Sequence, residues 1–372
     1  MKKQLLLLLL LLTCLPTQAS EVNDRKLIIS TLNNYLEGTS YNNQQQINTA
    51  FHQDAKRDLE KKSQPLWIVP ALEYASWFKE ENLGQFNGRI GEILAIDVSN
   101  NIATAKVEIL IPEANSRFID LFLLKKLDNR WQIISKSATK LESNRSGNRI
   151  LFIVSSAHFH GKSTLPAGVS FSEIVNAYET FLTAGYTVDF VSPDGGAIPL
   201  SYINTSMPIH KKYLYSADFM HAIANTKKPT EIKPENYKAV HYIGGSNAMY
   251  GVANNEALQK ITMTIYEEYN GIISAVCHGT AGIVNLKTKA GNYLVANKRI
   301  SGYPESYENQ SRAYFKEFPF LIQQTIEQRK GKFFHGERNQ PHVEVDGRVV
   351  TGQNHLSSAL VAQRIIEILA KG

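Results

Sequence analysis

The chain has 372 residues, 43% of them apolar and 20% charged. At roughly 100–200 residues per domain this length suits two domains, and so ordinary a composition excludes disordered, collagen-like and coiled-coil architectures. Its 40 Lys and Arg against 34 Asp and Glu give a formal charge of +6, or +4 without Lys2 and Lys3. The doublets Lys125-Lys126, Lys211-Lys212 and Lys227-Lys228 are scattered, so no nucleic-acid partner is expected.

In chain order, Lys2-Lys3 and the unbroken apolar run Leu5–Leu12 precede Thr17-Gln18-Ala19. This is the pattern of a signal peptide over residues 1–19, cleaved before Ser20. The run is shorter than the about 20 residues a membrane span needs, so the mature chain is expected to be exported, periplasmic or secreted, without a membrane segment. A lipoprotein anchor would centre on Cys14, but Leu12-Thr13 makes a poor lipobox. Once Cys14 is removed, Cys277 is the sole thiol. It has no disulfide partner in its own chain, so it is either buried and inert or kept for its chemistry.

Residues 20–140 open with an amphipathic helix around Asp24–Leu36 and a second near Asn43–Phe51. After Gly88 the period becomes alternating, predicting strands at Ile90–Val98, Ile102–Ile111, Arg117–Leu127 and Trp131–Ala138. Helices followed by a meander give a smaller α+β domain with a curved antiparallel sheet. This order, with Trp131 opening the last strand, resembles the SnoaL-like and lumazine-binding-like cone-shaped domains. Such domains bind small ligands or dimerise, which would make a homodimer one expected partner. Trp67, Trp77 and Trp131 either fill the core or line a cavity. Residues 141–148 read as a polar linker.

Residues 149–372 alternate strand and helix. Strands are expected at Ile150–Ser155, Thr187–Ser192, Lys238–Ile243, Ile272–Val276, Arg299–Gly302 and Val349–Thr351, with helices at Phe171–Ala184 and Ser357–Leu369. The fold class is therefore α/β, a doubly wound, mostly parallel sheet with its site at the carboxyl ends of the strands.

Chemistry concentrates in Gly271–Gly282, GIISAVCHGTAG. A short apolar strand ends at Cys277 and a helix is expected within three residues, the arrangement of a nucleophile elbow. Gly279 gives the crowded turn its room. A helix N-terminus beside the sulfur would favour thiolate, the attacking form.

Ala275-Val-Cys-His-Gly279 resembles the elbow of the ThiJ/PfpI superfamily, whose fold is that of class I glutamine amidotransferases. Four further stretches resemble that family: GVSFSEIVNAYETF from Gly168, YTVDFVSPDG from Tyr186, Ile243-Gly-Gly-Ser246, and GQNHLSS from Gly352. The adjacent Cys-His resembles its stress-chaperone branch with glyoxalase activity. The resemblance implies Cys277 as nucleophile, His278 as proton shuttle, and Glu173 as a protonated acid donating a hydrogen bond to the sulfur. It also implies an acid that orients the imidazole, aligned best with Glu308, with Glu305 as competitor. Gly244 and Gly245 would let the backbone approach the substrate, the amides of Gly245 and His278 facing a developing oxyanion. Glu179 fits a solvated carboxylate. His355 stands where the family has proline, so the cavity wall there is altered. His158 and His160 have a spacing that suits metal, but no further ligand occurs at such spacing, so no metal or cofactor is expected.

The activity implied is cofactor-free chemistry on reactive carbonyls: a glutathione-independent glyoxalase (lactate dehydratase), or a deglycase acting on glycated protein. Amide or peptide hydrolysis uses the same thiolate. The contrasting class is a stress-responsive binding protein in which Cys277 senses oxidation. Export fits a glyoxalase awkwardly, methylglyoxal being mainly cytosolic.

Overall fold

The computed structural model describes residues 15–61 and 64–371. Most of the segment expected to be a signal peptide, Cys14 included, lies outside the described residues. The chain divides into two compact units, Met1–Gly147 and Asn148–Gly372.

In the first unit, α1 (Leu15–Ser40) is longer at both ends than the amphipathic stretch predicts, and α2 (Gln44–Ala50) comes next. The Asn43 side chain caps α2, accepting from the Gln46 amide at 3.0 Å. Then come β1 (Phe51–Lys61), β2 (Gln64–Pro70) and a short α3 (Ala71–Ser76), none of which the apolar periodicity predicts. The meander is β3 (Ile90–Ser99), β4 (Ile102–Ile111), β5 (Ser116–Leu127) and β6 (Arg130–Glu142). Asp128 and Asn129, at φ +47° and +61°, make the tight turn joining β5 to β6.

The sheet order is β2-β1-β6-β5-β4-β3. The expected antiparallel sheet is corrected at one junction, because β1 enters beside β6 and pairs with it in parallel. The expected linker is also shorter: the β5–β6 ladder continues to Ser116 opposite Glu142, so β6 takes up residues 141 and 142. Ile28, Leu32 and Tyr35 of α1 belong to one buried cluster with Val107, Ile109, Leu124 and Ile133 of the sheet. Trp131 is in that core, its indole N–H donating to Asp24 Oδ1 at 3.0 Å, while Trp67 and Trp77 stack with ring centroids 5.2 Å apart. No helix among the described residues is long and apolar enough to cross a membrane.

The second unit contains β7 (Arg149–Ile153), α4 (Phe171–Thr183), β8 (Thr187–Val191), β9 (Tyr237–Tyr242), α5 (Glu256–Glu267), β10 (Ile272–Val276), β11 (Val343–Asp346), β12 (Val349–Gly352) and α6 (Ser358–Leu369). The order is β11-β12-β10-β9-β7-β8, parallel throughout except for the edge pair β11–β12. Strand alternation feeds two cores. Ile150 and Phe152 point to the α4 and α6 side with Ile174, Phe181 and Val361, while Leu151 and Ile153 point to the α5 side with Leu258 and Ile265. The stretch predicted as a fifth strand of this sheet is corrected. Arg299–Ile300 instead pairs with Lys332–Phe333 in a separate two-stranded ribbon. Between strands, Asp189 accepts from Arg149 twice at 2.8 Å and from the Tyr237 hydroxyl at 2.7 Å, tying β8, β7 and β9 together. Because β7, β9 and β10 are neighbours and parallel, their carboxyl ends bring Ile243-Gly-Gly and Cys277 to one edge of the sheet.

Candidate active site

The apolar strand β10 ends at Val276 in extended conformation, and Cys277 then adopts φ +57°, a left-handed conformation unusual for a residue other than glycine. That strain is how an elbow presents its side chain, and the surrounding structure holds it in place. A Cβ on Gly279 would come within 2.3 Å of the Tyr242 carbonyl oxygen, so the turn closes only over glycine. Gly245, at φ +103°, is equally restricted: a Cβ there would lie 2.4 Å from the Gly168 carbonyl oxygen.

Glu173 sits in the first turn of α4, whose N-cap is Ser170, and it is buried. Its Oε2 accepts from the Gly244 amide at 2.8 Å, and its carboxyl hydrogen-bonds the Cys277 side chain. Burial pushes this carboxyl up to about 7, against the hydrogen bonds from Cys277 and Gly244.

The expectation that a helix N-terminus lowers the thiol is corrected. Cys277 opens a single 3₁₀ stretch, Cys277–Ile283, not an α-helix with a full macrodipole. Burial and the neighbouring Glu173 charge push the thiol up, while the His278 backbone N–H, directed at the sulfur, pulls it down. Glu173 and Cys277 thus form one proton-sharing pair: moving the proton to the carboxyl removes the charge that opposes the thiolate. The His278 amide, expected from the sequence to face an oxyanion, is engaged with the sulfur, and the Gly244 amide with Glu173.

His278 places Nδ1 3.5 Å from the Cys277 sulfur and Nε2 2.5 Å from Glu308 Oε1. Tyr314 donates to the other Glu308 oxygen at 2.9 Å, and the Tyr303 ring stacks on the imidazole at 4.8 Å. Burial alone would raise Glu308, but the His278 contact, Tyr314 and Arg338 hold it below the usual carboxylate range. Glu305 does not meet the imidazole; its carboxylate accepts from the Gln324 amide at 3.2 Å. Sulfur, imidazole and carboxylate therefore stand in line, the geometry of a nucleophile, a base and the group that orients the base.

These groups open into a cavity of about 550 Å³ that is also lined by Gly245, His355 and residues no motif announced. Tyr202, at φ +60° and 67% exposed, stands in its wall. His160 also lines it, its ring nitrogens 3.3 Å from the Ser246 and Tyr250 hydroxyls, whereas His158 is exposed. The two histidines are thus not brought together. Burial and the neighbouring His278 hold His160 below the usual imidazole range. His210 accepts from the Asn204 amide through Nδ1 at 3.0 Å, so its neutral ring carries the proton on Nε2 as a donor. Glu179 is occupied on the surface, paired to Lys212 at 2.7 Å.

The DJ-1/PfpI family model matches residues 164–368, more than half of the chain. The chain belongs to the DJ-1/PfpI family. A lumazine-binding model matches residues 23–137 ahead of it. Among curated relatives, Glyoxalase 3 of Candida albicans is 29% identical over 216 residues, 55% of this chain and 90% of that protein. A glutathione-independent glyoxalase of Schizosaccharomyces pombe is 28% identical over 227 residues, 56% of this chain and 90% of its own. Among solved structures, glyoxalase III from Candida albicans aligns with a TM-score of 0.55 at 25% identity, covering 60% of this chain and 97% of its own. The Francisella tularensis Rapid Encystment Protein aligns with a TM-score of 0.56 at 24% identity, covering 60% and 99%, a likeness of fold.

Proposed function

We propose that this DJ-1/PfpI protein is a cofactor-independent, glutathione-independent glyoxalase that converts a 2-oxoaldehyde into a 2-hydroxy acid at Cys277. The observation that carries the reading is the Cys277–His278–Glu308 line together with buried Glu173, all on one cavity of about 550 Å³. It is supported by the relatives named glyoxalase.

In the first step the Cys277 sulfur bonds to the aldehyde carbon. Its proton passes by way of Glu173, whose value of about 7 poises it to take and return one. The product is a hemithioacetal. His278 removes the proton from that carbon, giving an enediol, and returns it to the adjacent carbon, leaving a thioester on Cys277. Water then cleaves the C–S bond, releasing the 2-hydroxy acid and restoring the thiol. The balance is one water added and no external oxidant or reductant. Glu308 holds the imidazole facing the sulfur and offsets its charge when it is protonated.

The N-terminal pattern adds that the enzyme works outside the cytoplasm after cleavage before Ser20. Sequencing the amino terminus of the exported protein tests that separately.

The deciding assay is consumption of methylglyoxal by purified protein without glutathione, with lactate as product. Cys277→Ala is expected to lose at least about 10⁴-fold in kcat while remaining folded. Absence of turnover in the wild type, or turnover that survives Cys277→Ala, overturns the reading. Release of free amine from a glycated peptide in place of lactate would redirect it to deglycation.

A further inference from the structure

The inner face of the N-terminal sheet carries one transverse row in register: Val69, Arg57, Lys136, Phe122, Ala105 and Ile96. All six are buried. Four are apolar, and the other two are cations placed side by side, an arrangement that weakens a ladder unless something balances it. Lys136 Nζ lies 3.0 Å from Asp120 Oδ2, and the Tyr35 hydroxyl donates to the same oxygen at 2.6 Å. That oxygen is fully used by those two neighbours.

Arg57 has no such answer. It is 0% exposed, and its Nε, Nη1 and Nη2 meet no hydrogen-bond acceptor among the described residues. Its neighbours are aromatic: the guanidinium carbon is 3.7 Å from the Phe51 ring centroid and 4.8 Å from that of Tyr74. Stacking uses the faces of the guanidinium and leaves its fork of N–H donors unanswered. Burial lowers the group to about 10, which leaves it charged at neutral pH. On the same cluster Asp120 Oδ1 is also buried without a donor. Tyr35 and Tyr74, their hydroxyls 3.2 Å apart, link the two: Tyr35 bonds to Asp120, and Tyr74 stacks near Arg57. A buried cation is tolerated when it is paired. Unused donors on one side and an unused acceptor on the other describe a ligand that is an anion and also a hydrogen-bond donor.

We propose that Arg57, Lys136 and Asp120 form a binding site in the N-terminal unit for a small hydroxycarboxylate. Its carboxylate lies in bidentate fashion on the Arg57 fork, and its hydroxyl donates to Asp120 Oδ1, between the Phe51, Tyr35 and Tyr74 rings. Phe51, whose ring is stacked on Arg57, also lines a cavity of about 720 Å³ with Arg130 among its walls. The site makes no use of Cys277.

The test is calorimetric titration of the full chain with lactate, propionate and lactamide. Lactate is expected to bind, propionate more weakly for want of the hydroxyl, and lactamide not at all for want of the charge. Arg57→Met is expected to weaken lactate about tenfold or more, and Cys277→Ala to bind it like the wild type. Should Arg57→Met not fold, Arg57→Lys keeps the charge but loses the fork, and is expected to fold and still bind lactate less tightly. No lactate binding at millimolar concentration, or affinity unchanged in the Arg57 variants, overturns the site. So does binding that is lost in Cys277→Ala, which would put lactate in the cysteine cavity. Arg57→Met that raises the melting temperature with no response to lactate would make Arg57 a packing residue only.

Discussion

Both units bury charged side chains, but at different places on their sheets. In the C-terminal unit the reactive groups stand where parallel strands end, around a cavity, and each of Cys277, His278, Glu173 and Glu308 has a partner in another of them. In the N-terminal unit Arg57, Lys136 and Asp120 sit inside strands, on a face covered by helices, and the partners run short. Groups at a strand end can exchange partners with an arriving substrate at little cost to the ladder beneath them. Groups in mid-strand cannot, so their balance has to come from the fold itself or from something held within it. The first arrangement suits turnover and the second suits retention.

The sharpest way to break this contrast is to cut the line at the strand ends. His278→Gln is expected to lower kcat by about 10²–10⁴ with the melting temperature nearly unchanged, since the imidazole lines a cavity. Glu308→Gln should lose less, and the double variant no more than His278→Gln alone, because the two act as one unit. Additive losses in steady-state kinetics would mean that Glu308 acts on the substrate independently.

The same operation in mid-strand should behave in the opposite sense, costing stability and not rate. Lys136→Met leaves Asp120 buried with only the Tyr35 hydroxyl for company. Removing one partner of a buried pair costs about 3–5 kcal/mol, to be read from urea denaturation, while turnover by the surviving folded protein should hold. A loss under about 1 kcal/mol would show that solvent reaches the pair, as it does in exposed ion pairs.

Glu173 joins the two behaviours, being at once buried and held, from the first turn of α4, against Cys277 at the end of β10. Its folded value of about 7 lies above the ordinary carboxylate value of 4.5. Between those values the folded chain holds a proton that the unfolded chain has released, so stability falls as pH rises through that window and is flat above it. The full difference corresponds to about 3 kcal/mol. Glu173→Gln, which keeps the shape but not the charge, should therefore stabilise the chain at pH 8 and do little at pH 4. The same change should abolish the decline in kcat/KM below about pH 7 that protonating the pair would cause, along with most of the activity. Equal melting temperatures for the two proteins at pH 8 would sink the argument.

How far the sequence could be read differed between the units for the same reason. The strands of the C-terminal sheet are covered on both faces, so Ile272–Val276 is apolar apart from the small Ser274 and is bounded by glycine and cysteine, and its ends could be placed to the residue. In β1, Phe51–Lys61, the inward positions include Arg57 beside Phe51 and Ala55 while the outward ones are polar, so hydrophobic alternation vanishes and the strand went unread. Of the site, the residues near the elbow and the glycine pair were visible through their motifs. Tyr202, Tyr303, Tyr314, His160 and His210 reach the cavity from elsewhere in the unit, where only the folded chain defines neighbours. The raised thiol was hidden as well, because the burial of Cys277 and the Glu173 charge beside it arise only in the folded chain.

The smallest effect separates the units by their caps. Asn43 accepts from the Gln46 amide and Asn255 from the Leu258 amide, both at 3.0 Å, so the same local interaction starts a helix in each unit. Replacing either by Ala should cost about 1 kcal/mol. All three tryptophans, Trp67, Trp77 and Trp131, belong to the N-terminal unit, so fluorescence tracks that unit's unfolding alone, whereas far-ultraviolet circular dichroism tracks both. With separate hydrophobic cores in the two units, each cap should act on its own transition. Asn43→Ala should then move the fluorescence midpoint to lower urea, while Asn255→Ala leaves it in place and moves the dichroism curve. Equal shifts of the fluorescence midpoint in both variants would mean that the two units melt as one cooperative block.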